Sequence, residues 1–262
     1  MRKPRKTVYY RDPVHDDFAG THIETCVIDK TYPYRRGRVW RFFSNVLYYP
    51  IALPLVWLLH RGIQGIRFVN RSARKAVSGP VFLYGNHTAV FDAYTPALLS
   101  CGRRASILAG ADAFSIRGLR TIVQMLGGIA VPNRLDGMKP FYEAVEDAYR
   151  RGEDIAIFPE AHIWPYYNGV RPFPDTSFAY PVRLNAPVIA YFIAYEPPQG
   201  IDKLLGRRTT KRIYLSEPFY PDPALPERAA KRKLRDEVFA FMERTAKAHS
   251  TEVVIEYIQR SE

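Results

Sequence analysis

Apolar and polar positions alternate in blocks after residue 80 of this chain. Six short apolar runs, bounded by polar or turn-forming residues, are typical of buried strands. They are PVFLYGNH, RASILAGADAF, IAVPN, EDIAIFPE, APVIAYFIAY and RRTTKRIYLSEP. Stretches with helical spacing separate several of them: AVFDAYTPALLSC, IRGLRTIVQML, MKPFYEAVEDAYRRG and SFAYPVRLN. Strands that alternate with helices predict an α/β fold, with a mixed, mostly parallel sheet covered by helices.

The last predicted element is a long amphipathic helix within residues 223–250. Its apolar positions recur at helical spacing, which predicts that one side packs on the sheet. The residues expected to face the core are Leu225, Leu234, Val238, Phe241 and Met242.

The first eighty residues have a different texture. Residues 1–38 are polar and rich in tyrosine and arginine without a clear period, so we predict an irregular arm. The run FFSNVLYYPIALPLVWLL, residues 42–59, is the most apolar stretch of the chain. We therefore divide the chain into a basic arm with an N-terminal membrane-contacting helical segment, residues 1–75, and an α/β domain, residues 76–262.

The apolar run is at the lower limit of length for crossing a bilayer. Ser44, Asn45, Pro50 and Pro54 interrupt it, which disfavours a span. Aromatic and arginine residues stand at both ends. We expect a kinked helix that dips into one leaflet from the cytoplasmic face and returns to the same face. A true span and a buried core helix are the alternatives.

The charge distribution also favours a membrane contact. The chain of 262 residues has a net charge of +12, and its first 80 residues hold 15 lysines and arginines against 5 acidic residues. No acidic residue lies between Asp29 and Asp92. A basic region that brackets an apolar run suits anionic lipid headgroups. Nucleic acid is not an expected partner, because the chain has no RNP, zinc-finger or helix-turn-helix signature.

Histidines and cysteines do not form a metal-binding pattern. The six histidines are scattered, and the chain has only two cysteines, Cys26 and Cys101. No metal site and no resident cofactor are therefore expected, and so few cysteines fit a reducing compartment.

Polar residues follow predicted strands at two places, and strand ends are where α/β proteins bind ligands. In NHTAVFD, Asn86 and His87 end a strand and Asp92 comes five residues after His87. The two side chains can meet only if His87 lies in the loop before the helix, because five helical residues would set them about 140° apart. A carboxylate beside one imidazole nitrogen leaves the other free as a general base. The alternative is a capping histidine and a surface carboxylate.

The second place is IAIFPEAHIW, where Glu160 and His162 follow an apolar strand. It belongs to an ordered set of four blocks: NHTAVFD, GIAVPNR, FPEAH and APVIAYF. Their order and spacing resemble the glycerolipid acyltransferases of the lysophosphatidic acid acyltransferase (PlsC-like) family, whose His-x-x-x-x-Asp motif corresponds to His87 and Asp92. The resemblance covers roughly residues 81–194.

The resemblance implies transfer of a fatty acyl group from acyl-CoA or acyl carrier protein to the sn-2 hydroxyl of lysophosphatidic acid, in phospholipid biosynthesis. His87 would accept the hydroxyl proton and Asp92 would orient the ring. Arg134, in the second block, would bind the acceptor phosphate. Glu160 would arrange the headgroup site through a hydroxyl or through Arg134. Asn86 would donate to the oxyanion or cap the following helix.

One departure from the family pattern concerns the acceptor. Typical members continue Phe-Pro-Glu with Gly-Thr, and here Ala161 and His162 take those places. The change removes a residue free to take positive φ and a hydroxyl that could bind phosphate. His162 and Arg171 are expected to supply phosphate contacts instead. Another lysolipid or lipid-like acceptor is one alternative function, and an inactive lipid-binding membrane homologue is another.

Overall fold

Strands and helices alternate through the part of the chain that the computed structural model describes, namely residue 4 and residues 6–18, 24–116, 118–207 and 209–260. The strands are β1 Lys6–Tyr10, β2 Arg67–Val69, β3 Phe82–Gly85, β4 Ala105–Ala109, β5 Gly128–Ala130, β6 Asp154–Ile157, β7 Val188–Glu196, β8 Thr210–Leu215 and β9 Ile255–Gln259. The helices are α1 Arg38–Ile63, α2 Ser72–Ala76, α3 Thr95–Leu99, α4 Leu119–Met125, α5 Met138–Arg150, α6 Ala179–Arg183, α7 Ile201–Leu204 and α8 Glu227–His249.

Seven of these strands form one sheet in the order β2-β8-β7-β3-β6-β4-β5. β3 lies at its centre, parallel to β7 on one side and to β6 on the other. β4 and β5 continue the parallel arrangement, whereas β8 runs antiparallel to β7 and β2 pairs with β8. The predicted α/β fold with a mixed, mostly parallel sheet is confirmed.

Side chains of the central strand alternate between the two faces of the sheet. Phe82 and Tyr84 lie in one buried cluster, which α5 and α8 cover. Leu83 lies in a second cluster on the other face, with Ile189 and Ile193 of β7. Burial on both faces explains why β3 and β7 appear in the sequence as unbroken apolar runs.

α8 begins later than the sequence pattern predicts. The helix starts at Glu227, so Leu225 lies before its first turn and is 37% exposed. The prediction that Leu225 faces the core is wrong, because Pro226 stands directly before the helix and keeps the preceding residue outside it. Leu234, Val238 and Met242 are buried as predicted, and Phe241 packs against the same cluster while partly exposed.

The N-terminal arm contains a strand that its sequence pattern does not predict. β1 pairs in parallel with β9, which joins the two ends of the chain. The Trp164 ring stacks on Tyr257 of β9 with a centroid distance of 4.9 Å, and its indole N–H donates to the Asp16 carbonyl at 2.7 Å. The prediction of an irregular arm is therefore wrong for residues 6–10, while residues 1–3, 5 and 19–23 lie outside the described residues. The division of the chain at residues 75 and 76 stays a prediction.

α1 is a continuous helix of 26 residues that is long and apolar enough to cross a membrane. Its calculated rise of about 39 Å exceeds the ~30 Å of a hydrocarbon core. Pro50 lies in a π-type turn over Tyr48–Ala52, and Pro54 lies in the first turn of the α-helical Leu53–Trp57, so the helix continues through both prolines. Only 17% of the 18-residue apolar stretch within this helix is buried. The alternative of a buried core helix is therefore excluded.

One side of α1 packs along the domain and the other is exposed. Ser44 donates to the Met125 carbonyl at 2.7 Å, Tyr48 accepts the Ala105 backbone N–H at 2.9 Å, and His60 lies 3.5 Å from the Thr95 hydroxyl. The exposed side carries large apolar residues: Phe42, Phe43, Val46, Ile51, Leu55, Trp57, Leu58 and Ile63. An apolar surface of this extent on a helix with a polar, packed opposite side is typical of a membrane-contacting element.

Candidate active site

The carboxyl ends of two neighbouring parallel strands bring the two predicted polar clusters together. β3 ends at Gly85 directly before Asn86 and His87, and β6 ends at Ile157 three residues before Glu160. The strands are paired in register, so both clusters lie at the same edge of the sheet. The His87 backbone N–H points to the Glu160 carboxylate, at a long 3.5 Å.

His87 lies in the loop before a helical turn, as the spacing requires. Asp92 belongs to the 3₁₀ turn Val90–Tyr94, and its Oδ2 is 3.9 Å from His87 Nδ1. The imidazole stacks on the Phe158 ring with a centroid distance of 4.2 Å. The distance to Asp92 is longer than a hydrogen bond, and such contacts shorten when a catalytic site binds its substrates. Because Nδ1 faces Asp92, Nε2 points away from the carboxylate and can accept a proton.

Asp92 is held rigidly although it is buried. Its Oδ2 accepts hydrogen bonds from the Thr88 N–H at 2.7 Å, the Thr88 hydroxyl at 2.9 Å and the Ala89 N–H at 2.7 Å. Its Oδ1 lies 3.4 Å from the Lys211 ammonium. Burial alone would raise the pKa of Asp92, but the interactions with Lys211, His87 and Thr88 outweigh it and lower the pKa. The carboxylate is therefore charged at neutral pH and can stabilise an imidazolium.

The residues that support Asp92 are distant from it in the sequence. Lys211 comes from β8, and the Tyr195 hydroxyl of β7 donates to the Thr88 hydroxyl at 2.8 Å. No spacing in the sequence connects these residues with Asp92. The available signal was a lysine within the strand-like run RRTTKRIYLSEP, where a charged residue on a half-buried strand needs a partner.

The side chain of Asn86 is hydrogen-bonded within the sheet. It is fully buried, its amide oxygen accepts the Ile193 N–H at 2.7 Å, and its amide nitrogen donates to the Ile193 carbonyl at 3.3 Å. Both hydrogen bonds tie the end of β3 to β7. The expectation of a helix cap is wrong, because Ala89 is the N-cap of the following 3₁₀ turn. The amide nitrogen has a second N–H, so the expectation of an oxyanion donor stays a prediction.

Gly85 is required by the ring that lies against it. A Cβ at this position would be 2.1 Å from Cζ of the fully buried Tyr191. We expect Gly85→Ala to lower the free energy of unfolding by about 3 kcal/mol, because an overpacked core must shift the ring or the strand. Urea denaturation measures the effect, and Gly79→Ala is the control, since a Cβ there meets nothing within 4 Å. Equal stability of the two variants would contradict the close packing.

Glu160 and Arg171 form a closed pair. Both side chains are 1% exposed, with Nη2 of Arg171 3.2 Å from Oε2 of Glu160, while Oε1 accepts the Arg171 N–H at 3.0 Å. The guanidinium also donates to the His162 carbonyl and lies over the Trp164 ring at 4.9 Å. Burial raises the pKa of Glu160, and Arg171 offsets part of that rise.

These contacts overturn two predicted roles. The guanidinium of Arg171 is buried and pairs with Glu160 inside the protein. Arg171 therefore offers no exposed surface to a phosphate. Glu160 pairs with Arg171 rather than with Arg134, and this pair holds the loop after β6 beside His87. The other predicted role of Glu160, to arrange the headgroup through a hydroxyl, stays a prediction. The sequence could not distinguish these partners, since Arg171 is eleven residues away along an irregular segment.

Ala161 takes the conformation that a glycine would take. Its φ is +62°, in the left-handed region, although the residue has a Cβ. The chain therefore keeps this conformation without the freedom of a glycine, because the Glu160–Arg171 pair and the Phe158 carbonyl, which accepts the Ala161 N–H at 3.1 Å, hold the turn. His162 is half-exposed with Nδ1 3.7 Å from Asp17 Oδ2, so its ring remains accessible to a ligand.

The strain at Ala161 leads to a prediction. Left-handed geometry costs an L-residue roughly 1–2 kcal/mol, and glycine would relieve it while adding some entropy to the unfolded chain. We expect Ala161→Gly to raise the free energy of unfolding by about 0.5–1 kcal/mol in urea denaturation. Ala224→Gly, in an exposed loop at negative φ, is the control and should lower stability slightly. A loss of stability in Ala161→Gly would contradict the strain.

Arg134 lies apart from the other predicted site residues. It is exposed, four residues after the end of β5, and β5 is the edge strand, three positions from β3. Among the described contacts, none joins its guanidinium to His87, Asp92 or Glu160. Its exposure leaves it available to a phosphate, and its role stays a prediction.

The sequence and the fold of the chain both match known proteins. The Acyltransferase family model matches residues 64–194, half of the chain, and includes all four sequence blocks. No curated protein sequence matches the chain significantly. The crystal structure of the 1-acyl-sn-glycerophosphate acyltransferase PlsC from Thermotoga maritima is similar in fold, with a TM-score of 0.55 at 18% identity over 82% of this chain and 90% of that one. The resemblance stated from the sequence is confirmed, and the chain belongs to the acyltransferase family.

Proposed function

We propose that this acyltransferase moves a fatty acyl group from a thioester, acyl-CoA or acyl carrier protein, to the sn-2 hydroxyl of lysophosphatidic acid. The observation that carries the proposal is the pairing of His87 with a charged, buried Asp92 at the carboxyl ends of the central strands. A base oriented by a carboxylate suits the activation of a hydroxyl, and thioesters need no further activation.

In the proposed reaction, Nε2 of His87 takes the proton of the acceptor hydroxyl while that oxygen attacks the thioester carbonyl. Asp92 stabilises the imidazolium that forms. The carbon–sulfur bond then breaks, the new ester carbon–oxygen bond remains, and the proton passes from His87 to the leaving thiolate. The acceptor supplies the nucleophile, so this reaction uses no covalent enzyme intermediate and no resident cofactor or metal.

The membrane attachment that we propose is monotopic, on the cytoplasmic face. Contacts at Ser44, Tyr48 and His60 hold α1 to the domain along most of its length. A helix packed in this way cannot enter a bilayer without the domain, whereas its exposed apolar side can lie in one leaflet. Basic residues at both ends of the segment favour the cytoplasmic face and anionic headgroups. Phospholipid biosynthesis, with substrates drawn from that leaflet, fits this placement.

The residues of the loop after β6 favour a second candidate for the acceptor. His162 replaces the family's threonine and Arg171 is closed to solvent, so the contacts available to an acceptor headgroup differ from the family pattern. The second candidate function is therefore acylation of another lysolipid at the same hydroxyl-activating site. His162 and Arg134 are the accessible residues that would contact its headgroup.

Transfer of labelled acyl groups in mixed micelles tests the proposal. Acyl-CoA and acyl carrier protein are the donors, and the acceptors are lysophosphatidic acid, other lysophospholipids and monoacylglycerol. We expect the highest kcat/KM with lysophosphatidic acid. Preference for a different lysolipid would support the second candidate. The absence of transfer to every acceptor by folded protein would reject both and leave a lipid-binding homologue.

A further inference from the structure

A cavity of about 750 Å³ lies beside the amino ends of the parallel strands, whereas His87 lies at their carboxyl ends. The proposed reaction does not use this cavity. It is lined by the start of β5 at Gly128, the turn before β6 at Glu153, and the first part of α1 at Trp40. Because β3, β4, β5 and β6 are parallel, their amino ends lie on the side away from His87. The cavity is therefore separate from the catalytic pair.

The lining of this cavity is rich in arginine. Its six arginines are Arg35, Arg36, Arg41, Arg103, Arg104 and Arg151. Two of them have carboxylate partners: Arg35 lies 3.4 Å from Glu143 and 3.2 Å from Asp147, and Arg151 lies 2.9 Å from Glu153. In the part of the chain that the structure describes, the other four have no ion pair.

Three of these four guanidinium groups contact only neutral groups, and no hydrogen bond of the Arg41 side chain is described. Nη2 of Arg36 donates to the Gln124 amide oxygen at 2.7 Å, while its Nε is buried without a partner. Arg103 donates to the Gly152 and Ser78 carbonyls.

Arg104 joins α1 to the sheet. Its Nη2 donates to the Ser44 hydroxyl at 2.9 Å and to the Met125 carbonyl, and Nη1 donates to Asn45 at 3.1 Å. Burial is the main cause that lowers the pKa of this guanidinium. Four cations thus converge on one cavity without an ion pair of their own: Arg41 is exposed and the other three are partly buried, with Glu153 attracting Arg104. An anion bound among them would offset the repulsion between these like charges.

We propose that this cavity binds a phosphate group, independently of acyl transfer. Guanidinium groups bind phosphate oxygens in pairs, and several converging arginines are typical of phosphate recognition. The cavity adjoins the exposed apolar residues Phe42, Phe43 and Val46 at the start of α1. An anionic phospholipid can therefore place its headgroup in the cavity and its chains against α1, and a free phosphate is the other source of the same chemistry.

A phosphate headgroup bound in the cavity would help to orient the protein on the membrane. Arg104 contacts α1 through Ser44 and α4 through Met125, so a bound headgroup would hold the start of α1, the sheet edge and the membrane surface together. The catalytic edge of the sheet would then keep a constant position relative to the bilayer.

The test compares two double variants that remove the same charge. The cavity variant, Arg36→Gln with Arg41→Gln, removes two of the arginines that line the cavity. The control, Arg38→Gln with Arg61→Gln, removes two exposed arginines of α1 that lie outside it. Binding is measured by co-sedimentation of the full chain with vesicles of phosphatidylcholine containing phosphatidic acid, and unfolding is monitored with and without inorganic phosphate. Arg104 is left intact because its contacts hold α1.

We expect the cavity variant to bind the acidic vesicles about 30-fold more weakly, the equivalent of ~2 kcal/mol at about 1 kcal/mol per charge, with a smaller loss in the control. A rise in Tm with inorganic phosphate, seen in wild type and lost only in the cavity variant, would support a phosphate site whose ligand is soluble. Equal weakening of both variants, together with no effect of phosphate, would overturn the proposal. None of these readouts depends on turnover, so failure of the proposed reaction is seen separately.

Discussion

Substitution of His87 by alanine is expected to lower kcat by about 10³-fold while the protein remains folded. A positioned general base contributes roughly 10²–10⁴-fold to the rate of a proton transfer. His87 is the candidate base, because it follows the end of β3 and its ring faces the carboxylate of Asp92. Nδ1 has no hydrogen bond that would be lost. The cost in stability should therefore be limited to the stacking on Phe158, about 1 kcal/mol.

Initial rates with labelled donor and lysophosphatidic acid measure this effect, and circular dichroism with urea denaturation verifies the fold. His162→Ala is the matched control, because His162 is half-exposed and lies 3.7 Å from Asp17 rather than beside Asp92. We expect the control to keep kcat within a few-fold and to change KM if the ring contacts the headgroup. Turnover of His87→Ala within tenfold of wild type would show that another group is the base.

Substitution of Arg171 by alanine should act on stability rather than on substrate affinity. Removing one partner of a buried ion pair leaves an uncompensated charge, at a cost of about 3–5 kcal/mol. Glu160 would be that charge, since it is 1% exposed and takes its side-chain contacts from Arg171. The loop after β6 would lose its anchor beside His87, so activity should also fall in the fraction that stays folded.

Urea denaturation of three variants distinguishes this role from phosphate binding. Arg171→Ala should be strongly destabilised, and the double variant Glu160→Gln with Arg171→Met should recover much of the loss because no charge is left buried. Arg183→Ala is the control: Arg183 pairs with Glu227 at 3.0 Å on the surface, where such pairs contribute at most about 1 kcal/mol. Wild-type stability of Arg171→Ala, with a raised KM for a phosphate-bearing acceptor, would restore the role in binding.

Local pattern was enough for most elements and for the candidate pair of His87 and Asp92. The strands of the parallel core are short apolar runs because both faces are buried, and periodicity of this kind is visible without tertiary information. His87 and Glu160 follow such runs, and strand ends at one edge of a parallel sheet must meet. The apolar segment before the domain was equally visible, because its length and composition are local properties.

Short or edge elements were harder to predict. β1 and β9 stabilise each other across nearly the whole chain, and a five-residue strand has too little pattern to indicate a partner so far away. α1 extends beyond the apolar run at both ends, to Arg38 and Ile63, because polar residues continue a helix whose packed side faces the domain. Composition alone could not define that side.

The sequence by itself therefore determined the fold class, the long apolar segment and the position of His87 and Asp92, since each depends on periodicity, on local composition or on spacing within one loop. Only the tertiary structure decided which polar groups are partners: Lys211 with Asp92, Arg171 with Glu160, and Asn86 with the backbone of β7. The physical reason is that the free energy of a polar side chain depends on burial and on the groups within a few ångströms. Those neighbours come from strands and loops that the chain order does not place side by side.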